Sequence, residues 1–169
     1  MPKTDTELIL VLHNIRSTHN VGSLFRTAEG FGVTKIVLSG YTPYPLLEKD
    51  TRLPHIAQKL HAQIKKTALG AEAMVPFEFV GEAIVPTLTS LKTEGYRIVG
   101  LEQDERSIML PAYSAPDKLV LLLGEEVEGI EPALRALCDD LIEIPMRGRK
   151  ESFNVSVAAG VALYQLLAR

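Results

Sequence analysis

The chain has 169 residues and a formal net charge of -3, with 46% hydrophobic and 23% charged residues. This length and balance favour a single globular domain with a substantial core, and the acidic charge argues against a generally basic nucleic-acid-binding surface. The lone cysteine, Cys138, excludes an internal disulfide and any metal site built on a cysteine pair.

The amino-terminal end offers only one short apolar run, Leu8 to Leu12, which Asp5 and Glu7 precede. Such a run is too short for a signal peptide or a membrane span. We therefore expect a cytoplasmic protein with no membrane partner. The histidines show no metal-ligand spacing with carboxylates, so we expect no metal either.

The first predicted elements are a strand and a helix. The continuous apolar run Leu8 to Leu12 is typical of a strand covered on both faces, as in a parallel sheet. A loop from His13 to His19 follows, with Asn20 as a candidate helix cap. Apolar side chains then recur at helical spacing and predict one buried face, formed by Val21, Leu24, Phe25, Ala28 and Phe31.

Arg26 lies on the opposite face of this predicted helix, together with Gly22, Ser23 and Gly30. Glycines about one turn away on either side would leave open space around its guanidinium. The alternative interpretation of Arg26 is an ordinary solvated surface charge.

Strands and helices alternate along the rest of the chain. Strands are predicted at 35–38, 96–101, 119–123 and 141–144, with a further one at 75–80 that Pro76 interrupts, and helices at 54–66, 86–94 and 132–138. The alternation predicts an α/β fold with a mainly parallel sheet and helices on both faces.

Ligands of such sheets bind beyond the carboxyl ends of the strands. Three loops are expected there, at 100–102, 123–129 and 144–152. The chain lacks the glycine patterns of dinucleotide-binding folds, of P-loop NTPases and of the hydrolase nucleophile elbow. The chain is therefore not expected to be a dinucleotide-binding protein, a P-loop NTPase or an α/β-hydrolase.

A basic loop precedes the last predicted helix. Arg147, Arg149 and Lys150 place three cations within four positions, which suggests a local phosphate site. Ser152 or Asn154 can cap the helix that follows. The alternative interpretation is a capped helix after an ordinary loop.

The last helix has no polar side chain between Ser156 and Tyr164. A helix that is apolar on all sides must be covered on more than one side. In a small domain the expected additional cover is a second subunit, which predicts a homodimer.

Three segments together resemble the motifs of the TrmH (SpoU) family of SPOUT methyltransferases, which transfer a methyl group from S-adenosylmethionine to a ribose 2'-hydroxyl of tRNA or rRNA. The segments run from Asn14 to Ala28, from Leu122 to Ile130 and from Ile144 to Tyr164. Their order and spacing make the joint match specific. The resemblance implies a SPOUT-type fold with a C-terminal trefoil knot, built as a single domain over residues 1–169.

The resemblance also implies roles for individual residues. Arg26 matches the family's catalytic arginine, and Asn20 matches the asparagine that helps to place it. Glu126 matches the motif carboxylate, while Ser152 and Asn154 match the polar pair at the start of the last helix. The S-adenosylmethionine site is expected at Leu101, Gly124, Ile144, Met146, Ser152 and Phe153, where many relatives have leucine in place of Phe153.

Some relatives carry an additional RNA-binding domain before the first motif, and we expect none here because the first strand begins almost at once. Contact with RNA is then expected from the catalytic domain and its dimer mate, through Arg16, His19, Arg147, Arg149 and Lys150. The similarity to short one-domain relatives slightly favours tRNA over rRNA.

The implied reaction is an in-line methyl transfer, for which the ribose hydroxyl must be aligned and must lose its proton. A guanidinium stays protonated in proteins. We therefore expect Arg26 to orient the adjacent phosphate and to stabilise alkoxide character, while a phosphate oxygen or water takes the proton. Ser152 and Asn154 would anchor the ribose-phosphate, and Glu126 would organise the loops.

Two other functions stay open at this point. One is a non-catalytic RNA-binding protein that keeps the knotted fold. The other is an α/β enzyme acting on a small molecule, since fold alone does not define function.

Overall fold

The computed structural model describes residues 6–168. Its strands are β1 (Glu7–His13), β2 (Lys35–Ser39), β3 (Phe77–Gly81), β4 (Arg97–Leu101), β5 (Ile108–Met109), β6 (Lys118–Leu123) and β7 (Asp140–Glu143). Its helices are α1 (Thr18–Phe31), α2 (Pro54–Ala68), α3 (Ile84–Thr93), α4 (Pro132–Leu137) and α5 (Val155–Leu167), with short 3-10 turns at Ala71–Ala73 and Leu110–Ala112.

These strands form one sheet in the order β3-β2-β1-β6-β4-β7-β5, and the strands pair in parallel throughout. The predicted parallel α/β fold is confirmed. The edge strand β5 was not predicted, because two exposed residues give no periodic signal. The trefoil knot implied by the family resemblance stays a prediction.

The central strand β1 explains why its sequence is apolar at every position. Leu8, Leu10 and Leu12 point into one apolar layer, and Ile9 and Val11 point into the other. All five side chains are at most 4% exposed. A strand covered on both faces needs apolar residues at odd and even positions alike.

The two layers differ in size. The larger layer joins one face of the sheet to α1, α2 and α5, and the smaller layer joins the other face to α3 and α4. Within residues 6–168, no helix combines the length and the apolar character that a membrane span requires.

The cap of helix α1 lies three residues earlier than predicted. The Ser17 hydroxyl oxygen, not the Asn20 side chain, caps the helix by accepting a hydrogen bond from the Asn20 N–H at 3.1 Å. The prediction of Asn20 as the cap was therefore wrong. Its side chain lies in the first turn of α1, where it is free to contact other loops.

The environment of Gly22 also differs from the prediction. Helix α2 packs directly against it, so that a Cβ at this position would lie 2.0 Å from the Thr67 hydroxyl oxygen and 2.2 Å from the Ile64 carbonyl oxygen. Of the two glycines that flank Arg26, only Gly30 faces open space. The expected open space on both sides of Arg26 is therefore wrong on the Gly22 side, because that glycine is required for close helix packing.

The segment 40–53 between β2 and α2 has no helix or strand but is strongly cross-linked. Arg52 forms a bidentate pair with Asp50 and donates hydrogen bonds to the carbonyl oxygens of Tyr44 and Pro45. The guanidinium lies 3.6 Å from the centre of the Tyr44 ring, which stacks on Phe79 at 3.9 Å. Hydrogen bonding to Arg52 holds the pKa of Asp50 well below its usual range.

Gly22 and Gly30 form a matched pair of test sites on α1. Gly22→Ala should lower the free energy of unfolding by about 1–3 kcal/mol, because the new methyl group overlaps the α2 backbone. Gly30→Ala should raise it by about 0.5–1 kcal/mol, because alanine favours the helix and meets nothing. Urea unfolding of both variants measures this difference. Equal effects of the two substitutions would contradict the packing described for Gly22.

Candidate functional site

A cavity of about 600 Å³ opens at the carboxyl ends of β4, β6 and β7. The three loops predicted to hold a ligand meet there. The six residues expected to hold the cofactor line this cavity together: Leu101, Gly124, Ile144, Met146, Ser152 and Phe153. The site is thus assembled from several segments that together span more than 50 residues of the sequence.

The loop after β6 is closed on itself by main-chain hydrogen bonds. The N–H and carbonyl groups of Glu125 pair with those of Gly129, at 3.1 and 2.8 Å. Gly129 has a φ of +74°, and a Cβ on Gly124 would lie 2.6 Å from the Gly129 carbonyl carbon. Both positions therefore require glycine, which brings the main chain close to the cavity.

Glu102 attaches this loop to the end of β4. Its carboxylate accepts hydrogen bonds from the Ile130 N–H at 2.7 Å and from the Gln103 N–H at 3.0 Å. A Cβ on Gly129 would lie 2.1 Å from the same carboxylate. Sequence reasoning assigned Glu102 no role, although its place directly after a buried strand was a usable signal.

The cavity is strongly acidic. Six glutamates contribute to its lining: Glu102, Glu125, Glu126, Glu128, Glu143 and Glu151. Carboxylates around a concave site create a negative potential that favours a cationic ligand. Of the six, the sequence analysis gave a role only to Glu126.

A chain of side-chain hydrogen bonds joins the three sequence motifs beside this cavity. The Asn20 amide donates to Glu126 at 3.4 Å and accepts from the Asn154 amide at 3.3 Å. The other Glu126 oxygen accepts from the Arg16 N–H at 3.4 Å. Asn20 is only 8% exposed. No pattern in the sequence indicated that these side chains would touch one another.

Asn154 also caps α5. Its side-chain oxygen accepts hydrogen bonds from the Ser156 N–H at 2.9 Å and from the Ser156 hydroxyl at 2.6 Å. Of the two predicted caps, Asn154 is confirmed and Ser152 is not the cap. A primary amide has two N–H donors, so one donor of Asn154 stays free for a ligand after the bond to Asn20.

Arg26 is the predicted catalytic residue that neither lines the cavity nor takes part in the hydrogen-bond chain of Asn20, Glu126 and Asn154. Its side chain is exposed, does not line the cavity, and makes no hydrogen bond or ion pair within residues 6–168. A guanidinium without a protein partner is free to bind a phosphate from outside.

The five residues predicted to contact RNA are all exposed: Arg16, His19, Arg147, Arg149 and Lys150. The last three lie between β7 and α5, on the segment whose Met146 and Ser152 line the cavity. The basic loop is therefore a neighbour of the acidic cavity. In the described part of the chain, no three His, Cys, Asp or Glu side chains are grouped so as to hold a metal ion.

Comparison with known proteins identifies several relatives. A model of the family described as the SpoU rRNA Methylase family matches residues 7–164. The protein named 23S rRNA (guanosine-2'-O-)-methyltransferase RlmB from Nitrosomonas europaea is 36% identical over 162 residues, which make up 96% of this chain and 56% of that protein. The chain thus spans little more than half the length of the curated relatives it matches.

Solved structures share the same fold. The TrmH/SpoU tRNA modifying enzyme of A. aeolicus matches with a TM-score of 0.76 and 26% identity, over 95% of this chain and 73% of that one. The AdoMet-bound rRNA methyltransferase from Sinorhizobium meliloti matches with a TM-score of 0.77 and 22% identity, over 94% of this chain and 55% of that one.

Substitutions of Asn154 separate its two structural roles. Asn154→Ala should lower the free energy of unfolding by about 1 kcal/mol, because the cap of α5 is lost. Asn154→Asp should stay closer to the wild type, because aspartate is an equally good cap although it has no donor for Asn20. Denaturant unfolding monitored by circular dichroism gives both values. An Asp variant as unstable as the Ala variant would mean that the bond to Asn20, not the cap, dominates.

Proposed function

The chain belongs to the SpoU rRNA methylase family, and from this premise we propose that it transfers a methyl group from S-adenosylmethionine to a ribose 2'-hydroxyl of RNA. The main structural support is the hydrogen-bond chain of Glu126, Asn20 and Asn154 beside the cavity. These are three of the five residues that match the family's catalytic positions. The non-catalytic alternative would expect Arg26, Ser152 or Asn154 to be lost, and all three are present.

The cavity suits S-adenosylmethionine in size and charge. Its volume of about 600 Å³ is within the range of small-molecule sites. The cofactor carries a positively charged sulfonium and an ammonium group, which match the acidic lining. Leu101, Ile144 and Phe153 add apolar surface for the adenine ring. When bound, the cofactor would supply the electrophilic methyl group.

The residues of the chain would then position the ribose and bind its phosphate. Arg26 would bind the neighbouring phosphate and stabilise negative charge on the ribose oxygen, while a phosphate oxygen or water accepts the proton. Ser152 and the free donor of Asn154 would anchor the ribose-phosphate. Glu126 would keep the loops in place by accepting hydrogen bonds from Asn20 and Arg16. Further phosphates would be bound by Arg147, Arg149, Lys150 and His19.

We propose ribosomal RNA as the substrate class. The slight preference for tRNA in the sequence analysis finds no support in the curated relative described above, which is named for 23S rRNA. The A. aeolicus structure, which is named for tRNA modification, keeps tRNA as the second candidate.

The function is tested with labelled S-adenosylmethionine and total RNA from cells that lack this protein. Methylated fragments are then mapped, and their nucleosides identified by mass spectrometry. Label on a ribose 2'-oxygen of ribosomal RNA is the expected result. Label on a base would contradict the 2'-O assignment, and label confined to tRNA would contradict the substrate class.

Arg26 is expected to be essential for turnover but not for cofactor binding. Arg26→Ala should lower kcat/KM by at least about a hundredfold, because the phosphate and the developing negative charge lose their cationic partner. The affinity for S-adenosylmethionine, measured by calorimetry, should stay within about twofold of the wild type, since Arg26 does not line the cavity. Unchanged turnover would remove Arg26 from the reaction.

We further propose that the protein is a homodimer joined through α5. Val157, Val161 and Tyr164 of this helix are 52%, 41% and 63% exposed. They line an apolar groove of about 600 Å³ together with Leu110 and Pro145. Burying this surface in a second subunit would provide the cover that an all-apolar helix requires.

The dimer is tested by a charge in the groove. Val161→Asp should convert the protein to a monomer, because a carboxylate would be desolvated in an apolar interface. Val85→Asp is the matched control, since Val85 is similarly exposed, at 44%, but lies on α3 at the other face of the sheet. Light scattering at micromolar concentration gives the molar mass. A wild type that is monomeric under these conditions would contradict the proposal.

A further inference from the structure

The loops after β1 and β2 bring an exposed arginine over the ring of an exposed tyrosine. The Tyr41 ring is 51% exposed, and the guanidinium carbon of Arg16 lies 5.7 Å from its centre. This distance is within the range of a cation–π contact. The main-chain N–H of Arg16 donates to Glu126, which lines the acidic cavity. The pair of side chains therefore adjoins the candidate active site.

Two residues beneath this pair have left-handed backbone. Asn14 has a φ of +57° and Gly40 has a φ of +63°. The Asn14 side-chain oxygen accepts a hydrogen bond from the Tyr41 N–H at 3.2 Å, and the Asn14 N–H donates to the Ser39 carbonyl at 3.2 Å. A Cβ on Gly40 would lie 1.8 Å from the same Asn14 oxygen. Left-handed backbone at a residue other than glycine persists only where its surroundings enforce it.

Buried polar groups fix the two loops further. The hydroxyl oxygen of Thr42, which is 2% exposed, accepts from the Ile15 N–H at 3.0 Å and lies within hydrogen-bond distance of the Leu12 and Ser39 carbonyl oxygens. The residues next to Arg16 and Tyr41 are therefore rigid, although both side chains are exposed. A ligand that binds to this pair would find its main chain already ordered.

The pair offers an aromatic face and a guanidinium plane, which are the two groups on which proteins stack unpaired RNA bases. We infer that Arg16 and Tyr41 form a stacking platform for an unpaired base of the substrate RNA, next to the nucleotide that is methylated. This inference rests on the proposed function and makes it more specific. The substrate then contains a single-stranded segment, such as a loop, at the methylation site.

Tyr41 is not part of the motifs that define the family resemblance. It lies in the segment 40–80, to which the sequence analysis assigned no function. Tyr41 belongs to the cross-linked segment 40–53. Arg52 binds Asp50 and Tyr44 stacks on Phe79 there, and these contacts hold the backbone that carries the platform.

The test compares variants of Tyr41 in binding to a ribosomal RNA fragment that is selected for binding to the wild-type protein, whether or not this fragment is methylated. Tyr41→Leu should weaken RNA binding about tenfold, because leucine keeps apolar surface but has no ring on which a base can stack. Tyr41→Phe, which keeps the ring, should restore binding to within about twofold of the wild type. Leu53→Ala removes a 60% exposed apolar side chain from the same segment and should bind RNA like the wild type.

Salt dependence distinguishes stacking from phosphate binding. Tyr41→Leu should leave the slope of log Kd against log salt unchanged, since it removes no charge. Arg147→Ala, which removes a cation proposed to bind phosphate, should reduce the slope by somewhat less than one, the value for one phosphate contact on a single strand. A 2-aminopurine base placed in the unpaired segment of this fragment should be quenched on binding the wild type and Tyr41→Phe, but not on binding Tyr41→Leu.

Several outcomes would overturn the platform. Equal RNA affinity of the wild type and Tyr41→Leu would do so, and a lower melting temperature or weaker S-adenosylmethionine binding of this variant would assign Tyr41 a structural role instead. Because RNA binding is measured independently of methylation, a wild type that binds RNA without methylating it would contradict the proposed function while the comparison of Tyr41 variants remains decisive.

Discussion

The candidate site depends on the side chain of Asn20, a buried amide whose two ends are bound by different parts of the chain. Glu126 accepts its N–H and Asn154 donates to its oxygen. A buried amide that lost one of these partners would carry the cost of an unsatisfied polar group. The loop after β6 and the start of α5 are therefore held against the first turn of α1. Two of the segments that line the cavity are thereby held relative to one another.

The order of the strands makes this arrangement possible. Strands β4, β6 and β7 are neighbours in the sheet although the chain forms them at very different points. Because the sheet is parallel, the carboxyl ends of these strands lie at one edge, and their loops converge there. Glu102 then ties the end of β4 to the loop after β6. The strand order therefore brings the loops together, and side-chain hydrogen bonds such as that of Glu102 then hold them in position.

Charge is divided sharply between the two surfaces of the site. Six glutamates line the cavity, while Arg147, Arg149 and Lys150 lie on the exposed loop beside it. A cationic cofactor and a polyanionic substrate would thus be attracted to adjacent but separate places. This separation explains how a chain with a net charge of -3 can be proposed to bind RNA. The attraction for RNA is local, so total charge is a poor guide to it.

The parallel α/β fold could be predicted without the structure, because the unbroken apolar run Leu8 to Leu12 indicates a strand that is buried from both sides. The sequence also indicated the family, through motif residues whose spacing is a local property. It did not predict that α1 begins at Thr18, that Gly22 packs against α2, or that Glu102 holds the loop after β6. Those features depend on contacts between residues distant in the chain. They could not be predicted, because periodicity indicates which face of an element is buried but not which neighbouring element covers it.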